Sequence, residues 1–185
     1  MQRQDSKYLR KNPPKVGDLK HIKRNPIYFV LDNVLDTYNI GSIFRLGDAT
    51  AVEKIYICGE SEYPPSSRIH KAAVGTEEWV PWSKENKASE VVKTLKKQGI
   101  FVVAVEQSPK SINYSLLTNL EEASSAYHLR LPVALVVGHE TTGVSKEVLD
   151  MADLIVEIPM FGINKSINVW GSLAIITYKI IEGLK

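Results

Sequence analysis

Residues Leu131–Tyr178, LPVALVVGHETTGVSKEVLDMADLIVEIPMFGINKSINVWGSLAIITY, decide the fold. They contain two short β-branched runs, Val133–Val137 and Leu154–Ile158, and each run ends in a polar loop that contains glycine. A short helix is predicted from Ser145, and an almost wholly apolar helix over Ile167–Ile181. Strands that end in polar loops place ligand sites at the carboxyl edge of a sheet in α/β proteins. The stretch therefore predicts a ligand site behind its two strands.

Upstream of this stretch, apolar runs of strand length alternate with helical patterns. The predicted strands are Ile27–Leu31, Val52–Cys58 and Ile100–Val105, and the first is apolar enough to be buried on both faces. Helices are predicted over Asn39–Ala51 and Lys84–Gln98. The alternation predicts an α/β fold with a parallel sheet covered by helices on both faces.

Three segments are not predicted to form regular elements of the sheet. Gly59–Ser83 contains several prolines and is predicted to be a long irregular loop. Residues 110–130 fit at most one weak helix. Residues 1–25 are predicted to form an arm with at most a short helical piece, followed by a single domain over residues 26–185.

Composition excludes several classes of protein. A length of 185 residues, with 44% hydrophobic and 24% charged residues, is typical of one globular domain. No apolar run approaches the roughly 20 residues of a membrane span, and the polar N-terminus does not resemble a secretory signal. The single cysteine, Cys58, excludes an intramolecular disulfide. The expected location is the cytoplasm.

The formal net charge of +2 conceals an uneven distribution. Residues 1–25 contain eight Lys or Arg and two Asp, so the rest of the chain is mildly acidic. A basic arm on an acidic body is typical of nucleic-acid contact. A solvated tail that aids solubility explains the same distribution, and charge alone does not separate the two.

The common cofactor and metal sites of α/β proteins are missing from the sequence. Gly138–Ser145 imitates a phosphate-binding P-loop, but Val144 stands where the loop's lysine is required. No G-x-G dinucleotide fingerprint and no G-x-S-x-G nucleophile elbow occur. No metal site is predicted, because no close ligand spacing is found among the histidines, which are His21, His70, His128 and His139.

Polar side chains occur instead at three separate places. Asn39 stands at a possible helix N-cap with Arg45 nearly two turns later. Glu140 follows a buried strand, and Ser166 and Asn168 precede the last helix. Each place has a purely structural explanation, as a helix cap, a loop carboxylate and a second helix cap.

Taken together, in this order and spacing, the three places resemble the SpoU-type (TrmH-like) branch of the SPOUT RNA methyltransferases. The first family motif, N-x-G-x-x-x-R, is matched by Asn39, Gly41 and Arg45. The second, G-x-E-x-x-G after a strand, is matched by Gly138, Glu140 and Gly143. The third, I-P-M, a glycine and S-L-N-V, is matched by Ile158, Pro159, Met160, Gly162 and Ser166–Val169. The resemblance extends from Pro26 to Leu184 and departs from the family pattern at Ile167, where leucine is usual, and at Trp170-Gly171.

The resemblance implies a C-terminal trefoil knot that binds S-adenosylmethionine, and methyl transfer to a ribose 2′-hydroxyl of RNA. The implied cofactor-binding residues are Glu106, Gly138, Ile158, Met160, Ser166 and Ile167. The implied catalytic residues are Arg45, Asn39, Glu140, Asn168 and Ser166. Arg45 is expected to act on the hydroxyl or its phosphate, and Glu140 to orient Arg45 or a neighbouring residue.

The partners expected are RNA and a second copy of the chain. The last helix has hardly any polar face and contains Gly171, so a homodimer through this helix is predicted, with a central core helix of a monomer as the alternative. Arg45, Arg68, His70 and Lys71 are expected to contact RNA. Nearby aromatics, Tyr63, Trp79 and Trp82, either stack on bases or fix a surface flap.

The RNA target itself is not readable from the sequence. Because only a short arm precedes the first strand, tRNA is favoured over rRNA. Two alternatives remain for the function: a non-catalytic RNA-binding relative of the same fold, and a nucleotide-dependent α/β enzyme that uses Gly138–Ser145.

Overall fold

The computed structural model describes residues 12, 14–117 and 129–184. Within them, seven strands form one sheet in the order β3-β2-β1-β6-β4-β7-β5, and every pair is parallel. The strands are β1 (Asn25–Asp32), β2 (Val52–Cys58), β3 (Trp82–Glu85), β4 (Phe101–Val105), β5 (Ile112–Asn113), β6 (Val133–Gly138) and β7 (Leu154–Glu157). The α-helices are α1 (Val16–Leu19), α2 (Thr37–Ala49), α3 (Ser67–Ala73), α4 (Ala88–Lys97), α5 (Lys146–Met151) and α6 (Val169–Glu182). The predicted parallel α/β sheet is confirmed.

Helices cover both faces of the sheet because the central strands are apolar on both sides. In β1, Ile27, Phe29 and Leu31 are fully buried in one cluster, with side chains of α2, α3 and α6. Val30, between them, is buried in a second cluster with side chains of α4 and α5. Each such burial stabilises the fold by about 1.5–3 kcal/mol.

Helix α2 begins earlier than predicted, and its N-cap is Asp36 rather than Asn39. The Asp36 carboxylate accepts a hydrogen bond from the amide of Tyr38 at 2.8 Å. The helix ends at Ala49, two residues earlier than predicted, and Ala51 has a left-handed φ of 47°. Because Asp36 caps the helix, the Asn39 side chain can bond residues of other elements.

The prediction of one long irregular loop over Gly59–Ser83 is wrong in part. The segment contains α3, a 3₁₀ helix over Thr76–Glu78 and the first residues of β3. Strand β3 takes up residues that were assigned to the next helix, so α4 begins at Ala88. The elements are not predicted because α3 and β3 are too short to show a clear periodicity and because Pro64, Pro65 and Pro81 precede them.

The remaining corrections concern the segments around β5 and the arm. Residues 110–130 contain β5 and a 3₁₀ helix over Tyr114–Leu116, while residues 118–128 lie outside the described residues. Residues 1–11 and 13 of the arm also lie outside the described residues, and its described part contains α1. Its last part is attached to the domain, because Arg24 donates hydrogen bonds to the carbonyls of Val52 at 2.9 Å and Trp79 at 3.3 Å. No helix within the described part of the chain is long and apolar enough to span a membrane.

Candidate functional site: a cavity at the carboxyl edge of the sheet

A cavity of about 420 Å³ opens at the carboxyl ends of β4, β6 and β7. Its walls come from the three loops that follow these strands and from the start of α6. The lining contains all of the predicted cofactor-binding residues, Glu106, Gly138, Ile158, Met160, Ser166 and Ile167, and the predicted catalytic residues Glu140 and Asn168. Asn39 and Arg45 are not part of the lining.

The loop after β6 is so tight that two of its positions require glycine. A Cβ on Gly138 would lie 2.1 Å from the carbonyl carbon of Gly143, across the turn. Gly143 has a positive φ of 71°, and a Cβ there would lie 2.1 Å from a carboxylate oxygen of Glu106. His139 closes the turn, because its Nδ1 accepts hydrogen bonds from the amides of Thr141 and Thr142. The glycines of G-x-E-x-x-G are therefore explained by close packing.

Two carboxylates accept hydrogen bonds from the last residues of this loop, Val144 and Ser145. Glu106 Oε2 accepts from the amide of Val144, and Asp32 Oδ2 from the amide of Ser145, both at 2.9 Å. Asp32 can reach the loop because it ends β1 directly beside Gly138 in the sheet register. A P-loop needs such amides free to bind phosphate. Since carboxylates occupy them here, the geometry does not support the nucleotide-dependent alternative.

Glu140 fastens the loop after β6 to the beginning of α2. Its Oε1 accepts from the amide of Asp36 at 3.0 Å and from Asn39 Nδ2 at 2.9 Å, and its Oε2 accepts from the amide of Leu35 at 3.1 Å. Burial by itself would raise the pKa of Glu140, but the hydrogen bonds from Asn39 and from the backbone outweigh it and lower that pKa. The carboxylate therefore stays ionised as a structural acceptor.

Asn39 also bonds Asn168, which belongs to the third motif. Its Oδ1 accepts from Asn168 Nδ2 at 2.9 Å, while Asn168 Oδ1 accepts from the amide of Trp170 and caps α6. One side chain from each family motif thus belongs to a continuous chain of hydrogen bonds. Asn168 therefore has two roles: its Oδ1 caps α6, and its Nδ2 bonds the side chain of Asn39.

Arg45 lies on the exposed face of α2, and no hydrogen bond or ion pair joins it to any other described residue. It is six residues beyond Asn39, which is about 9 Å along the axis of an α-helix. Glu140 bonds Asn39, and no hydrogen bond or ion pair joins Glu140 to Arg45 among the described residues, so an orienting role of Glu140 toward Arg45 stays a prediction. The guanidinium is therefore available to an external anion.

The predicted RNA-contacting residues Arg68, His70 and Lys71 all lie exposed on α3. His70 Nδ1 is 2.5 Å from Oε1 of Glu77, so its ring already has a partner within the chain. Arg68, His70 and Lys71 are not part of the cavity lining. Helix α3 nevertheless adjoins α2, because Gly41 of α2 packs directly on the backbone of α3.

The aromatic side chains near α3 are only partly exposed. Trp79 is 8% exposed and donates its indole N–H to Asp48 at 2.6 Å. Trp82 contacts Phe44 edge-to-face, at 6.2 Å between ring centroids. Both contacts favour the interpretation in which the tryptophans fix the flap, whereas Tyr63 remains 47% exposed.

Sequence reasoning missed the side-chain roles of Asp32 and Gln107. Asp32 is 3% exposed and holds Ser145, and Gln107 Nε2 donates to the carbonyl of Lys165 at 2.6 Å across the cavity. Their position in the sequence could have indicated these roles, since each residue stands at or just past the carboxyl end of a buried strand.

Comparison with known proteins places the chain in a family. The model of the SpoU rRNA Methylase family matches residues 26–178. The tRNA (guanosine(18)-2′-O)-methyltransferase of Borreliella burgdorferi is 27% identical over 92% of this chain and 73% of its own length. The 23S rRNA (guanosine-2′-O-)-methyltransferase RlmB of Neisseria meningitidis serogroup B is 28% identical over 82% of this chain and 56% of its own length.

Solved structures extend the likeness to the fold. The AdoMet-bound rRNA methyltransferase from Sinorhizobium meliloti superposes with a TM-score of 0.75 at 26% identity, over 89% of this chain and 59% of that one. The present chain therefore spans only part of the length of some of the proteins that it matches.

Proposed function

Because the chain belongs to the SpoU rRNA Methylase family, we propose that it transfers a methyl group from S-adenosylmethionine to a ribose 2′-hydroxyl of RNA. One observation carries the proposal: one side chain from each of the three family motifs, Asn39, Glu140 and Asn168, belongs to a single chain of hydrogen bonds beside the cavity, although the three are far apart in sequence. The exposed Arg45 adds a free cation on the helix that begins there.

The cavity suits S-adenosylmethionine in size and in the chemistry of its walls. Pockets for ligands of this class occupy about 300–1,000 Å³, and this one is about 420 Å³. Its walls combine apolar residues, among them Ile158, Met160 and Ile167, with Gly138 and Glu106. When bound, the cofactor supplies an electrophilic methyl group on a sulfonium.

The chain's own contribution to the reaction is assigned to Arg45. A ribose hydroxyl is a weak nucleophile that must lose its proton as attack begins. A guanidinium is not deprotonated in proteins, so Arg45 acts by binding the adjacent phosphate and stabilising the developing alkoxide. The proton passes to that phosphate or to water. Asn39, Glu140 and Asn168 hold the loops in register, and Ser166 lies in the cavity wall beside them.

The C-terminal third is proposed to form a trefoil knot. The order of the strands supports this threading, since β7 lies between β4 and β5, both of which precede it in the chain. The loop that connects β4 to β5 therefore passes over the carboxyl end of β7. An experimental chain trace in which residues after β7 do not pass through that loop would exclude the knot.

A homodimer is proposed from the apolar surface around α6. Phe161 and Ile163 are 98% and 101% exposed, and Trp170 and Tyr178 are 42% and 50% exposed. Among the described residues, a Cβ added to Gly171 would meet only the side chain of Ile167, at 3.7 Å, so this glycine leaves room for the close approach of a second molecule. Apolar surface of this kind marks an interaction site.

Sedimentation velocity tests the dimer directly. The wild type is expected to sediment as twice the chain mass of 20.7 kDa, and Trp170→Glu as a single chain. The matched control is Tyr63→Glu, which places a charge on an exposed aromatic residue away from α6. A wild type that stays at the mass of one chain at micromolar concentration refutes the dimer.

The RNA is proposed to be a tRNA, bound by α3 and by the basic arm. Arg68 and Lys71 present exposed cations beside α2, on which Arg45 lies. Each phosphate contact adds about 0.7–0.9 to the slope of log affinity against log salt. Deletion of residues 1–20 is therefore expected to weaken RNA binding and to flatten that slope. An unchanged slope would remove the arm from the interface.

The decisive experiment is methylation of total tRNA and of ribosomal RNA with labelled S-adenosylmethionine. Transfer to a ribose hydroxyl is expected to yield an alkali-resistant dinucleotide that identifies the modified position. Arg45→Ala should lose transfer while keeping its affinity for the cofactor in calorimetry, because Arg45 lies outside the cavity lining. Cofactor binding without any transfer to either RNA would instead favour the non-catalytic relative.

A further inference from the structure

The loop after β4 begins with Glu106 and Gln107, whose side chains belong to none of the three family motifs. The Glu106 amide donates to the carbonyl of Val156 in β7 at 3.0 Å, and its carboxylate accepts from Val144 in the loop after β6. The amide of Gln107 donates to Glu106 Oε1 at 2.8 Å. These bonds fix the backbone of Gln107 at the point where the three loops around the cavity meet.

The side chain of Gln107 crosses the cavity from this fixed point. Its Nε2 donates to the carbonyl of Lys165 at 2.6 Å, and both residues line the cavity. Residues 161–168 are exposed throughout, and the hydrogen bonds of Ser166 within them go to Asn164. Among the described residues, no second hydrogen bond ties residues 159–167 to the remainder of the chain.

Segment 159–167 supplies one wall of the cavity, including Met160, Ser166 and Ile167. Within a single chain, a wall with so few attachments depends on the one hydrogen bond that it has, and the dimer contacts proposed above would come in addition. We propose that Gln107 is a positioning residue for S-adenosylmethionine, whose carboxamide keeps the segment 159–167 in its cofactor-binding position by holding the carbonyl of Lys165. The inference rests on the proposed function, because it assigns the cofactor to this cavity.

Cofactor affinity provides the first test. Gln107→Met keeps the length of the side chain and removes the N–H donor. Calorimetry is expected to show about 3- to 10-fold weaker binding of S-adenosylmethionine, the effect of losing one hydrogen bond. Gln107→Lys restores an N–H donor and should recover part of the loss. The control is Gln98→Met, at an exposed glutamine that follows α4 and lies outside the cavity.

A kinetic readout separates positioning from a general structural defect. In Gln107→Met the KM for S-adenosylmethionine should rise about as much as its dissociation constant, while kcat at saturating cofactor changes by less than about twofold. The melting temperature without cofactor should stay within about 2 °C of the wild type, since one exposed hydrogen bond contributes little. A fall in kcat with unchanged KM would contradict the role.

Limited proteolysis tests the attachment without relying on catalysis. Lys165 is itself a trypsin site, and its carbonyl belongs to the bond that is cleaved. Gln107→Met should be cut after Lys165 several-fold faster than the wild type, with cleavage after the exposed Lys87 unchanged. Bound S-adenosylmethionine should slow the cut after Lys165 in the wild type.

The outcomes distinguish the two proposals. If the wild type binds S-adenosylmethionine and Gln107→Met binds it equally well, the role of Gln107 is refuted and the proposed function stands. If the wild type binds none, the proposed function fails, and the role of Gln107 in cofactor positioning fails with it.

Discussion

Replacement of Glu140 by glutamine is the change for which the structure permits the most explicit forecast. The two carboxylate oxygens accept from three donors, the amides of Leu35 and Asp36 and the side chain of Asn39. Glutamine has the same shape but offers only one oxygen. Its best orientation places that oxygen towards Asp36 and Asn39, which leaves its NH₂ group facing the N–H of Leu35.

The expected loss follows from the number of bonds that change. Hydrogen bonds to a charged group contribute about 1.5–3 kcal/mol and neutral ones about 0.5–1.5 kcal/mol. Two bonds are weakened and one is replaced by a donor–donor contact, which gives about 3–4 kcal/mol before solvent is considered. Because Glu140 is exposed, water compensates for part of this, and we expect a net loss of about 2 kcal/mol. For a chain of this length that loss lowers the melting temperature by about 4–8 °C.

Urea denaturation followed by circular dichroism measures this free energy of unfolding. The matched control is Glu62→Gln, because Glu62 is exposed and makes no hydrogen bond or ion pair with the other described residues. The control should lie within about 0.5 kcal/mol of the wild type. A Glu140→Gln protein as stable as the control would show that the three hydrogen bonds contribute nothing net, and would refute the assignment of Glu140 as the fastener of the site.

The pH dependence of the same difference tests whether charge is its source. The folded state lowers the pKa of Glu140, so the ionised form stabilises the fold. That contribution is present above the unfolded pKa of about 4.3 and is lost as the pH falls through the lower folded value. The gap in stability between the wild type and Glu140→Gln should therefore be largest near neutral pH and shrink below about pH 4.3. A gap that is constant across this range would contradict the charge-based account.

Three further predictions concern the packing around the site. Gly41→Ala should lower the free energy of unfolding by about 3 kcal/mol, because its Cβ would lie 2.5 Å from Ala72 Cβ; Gly17→Ala, with open space around it, is the control in urea denaturation. The thiol of Cys58 should react with a disulfide reagent at pH 8 only after unfolding, because burial, with Asp32 and Glu85, raises its pKa to about 12; rapid reaction of the folded protein would contradict this. Trp79→Phe should cost about 1–2 kcal/mol through the lost bond to Asp48 and leave RNA affinity unchanged in filter binding, whereas a loss of affinity would restore the stacking interpretation.

The fold was predictable where the sequence pattern is strong. Continuous apolar runs such as Ile27–Leu31 and Val133–Val137 identify buried parallel strands, because both of their faces must be covered. The short elements of residues 59–85 were not predictable, since α3 and β3 have too few residues to show a periodicity. The order of the strands was equally hidden, because no local pattern states that β6 lies between β1 and β4.

The site was predictable as a set of residues but not as a set of contacts. The motif spacing selected Asn39, Glu140 and Asn168, and the structure joins these three by hydrogen bonds. What the spacing did not reveal is that Asp36, rather than Asn39, caps α2, which frees Asn39 for Glu140. Contacts of Asp32 with Ser145 depend on strand register across the sheet, and single-sequence reasoning has no access to that register.

The hydrogen bonds themselves divide the polar residues of the site into two groups. Glu140 has three donors, and Asn39 and Asn168 each use both ends of their amides, so these side chains have little capacity left for a substrate. A residue that must bind a phosphate during the reaction needs instead a positive charge that no other residue of the chain already pairs. Arg45 has it among the described residues. Substitution of the first group should therefore damage the architecture before the chemistry, with stability and cofactor affinity falling together, whereas substitution of Arg45 should remove transfer from an intact, cofactor-binding protein.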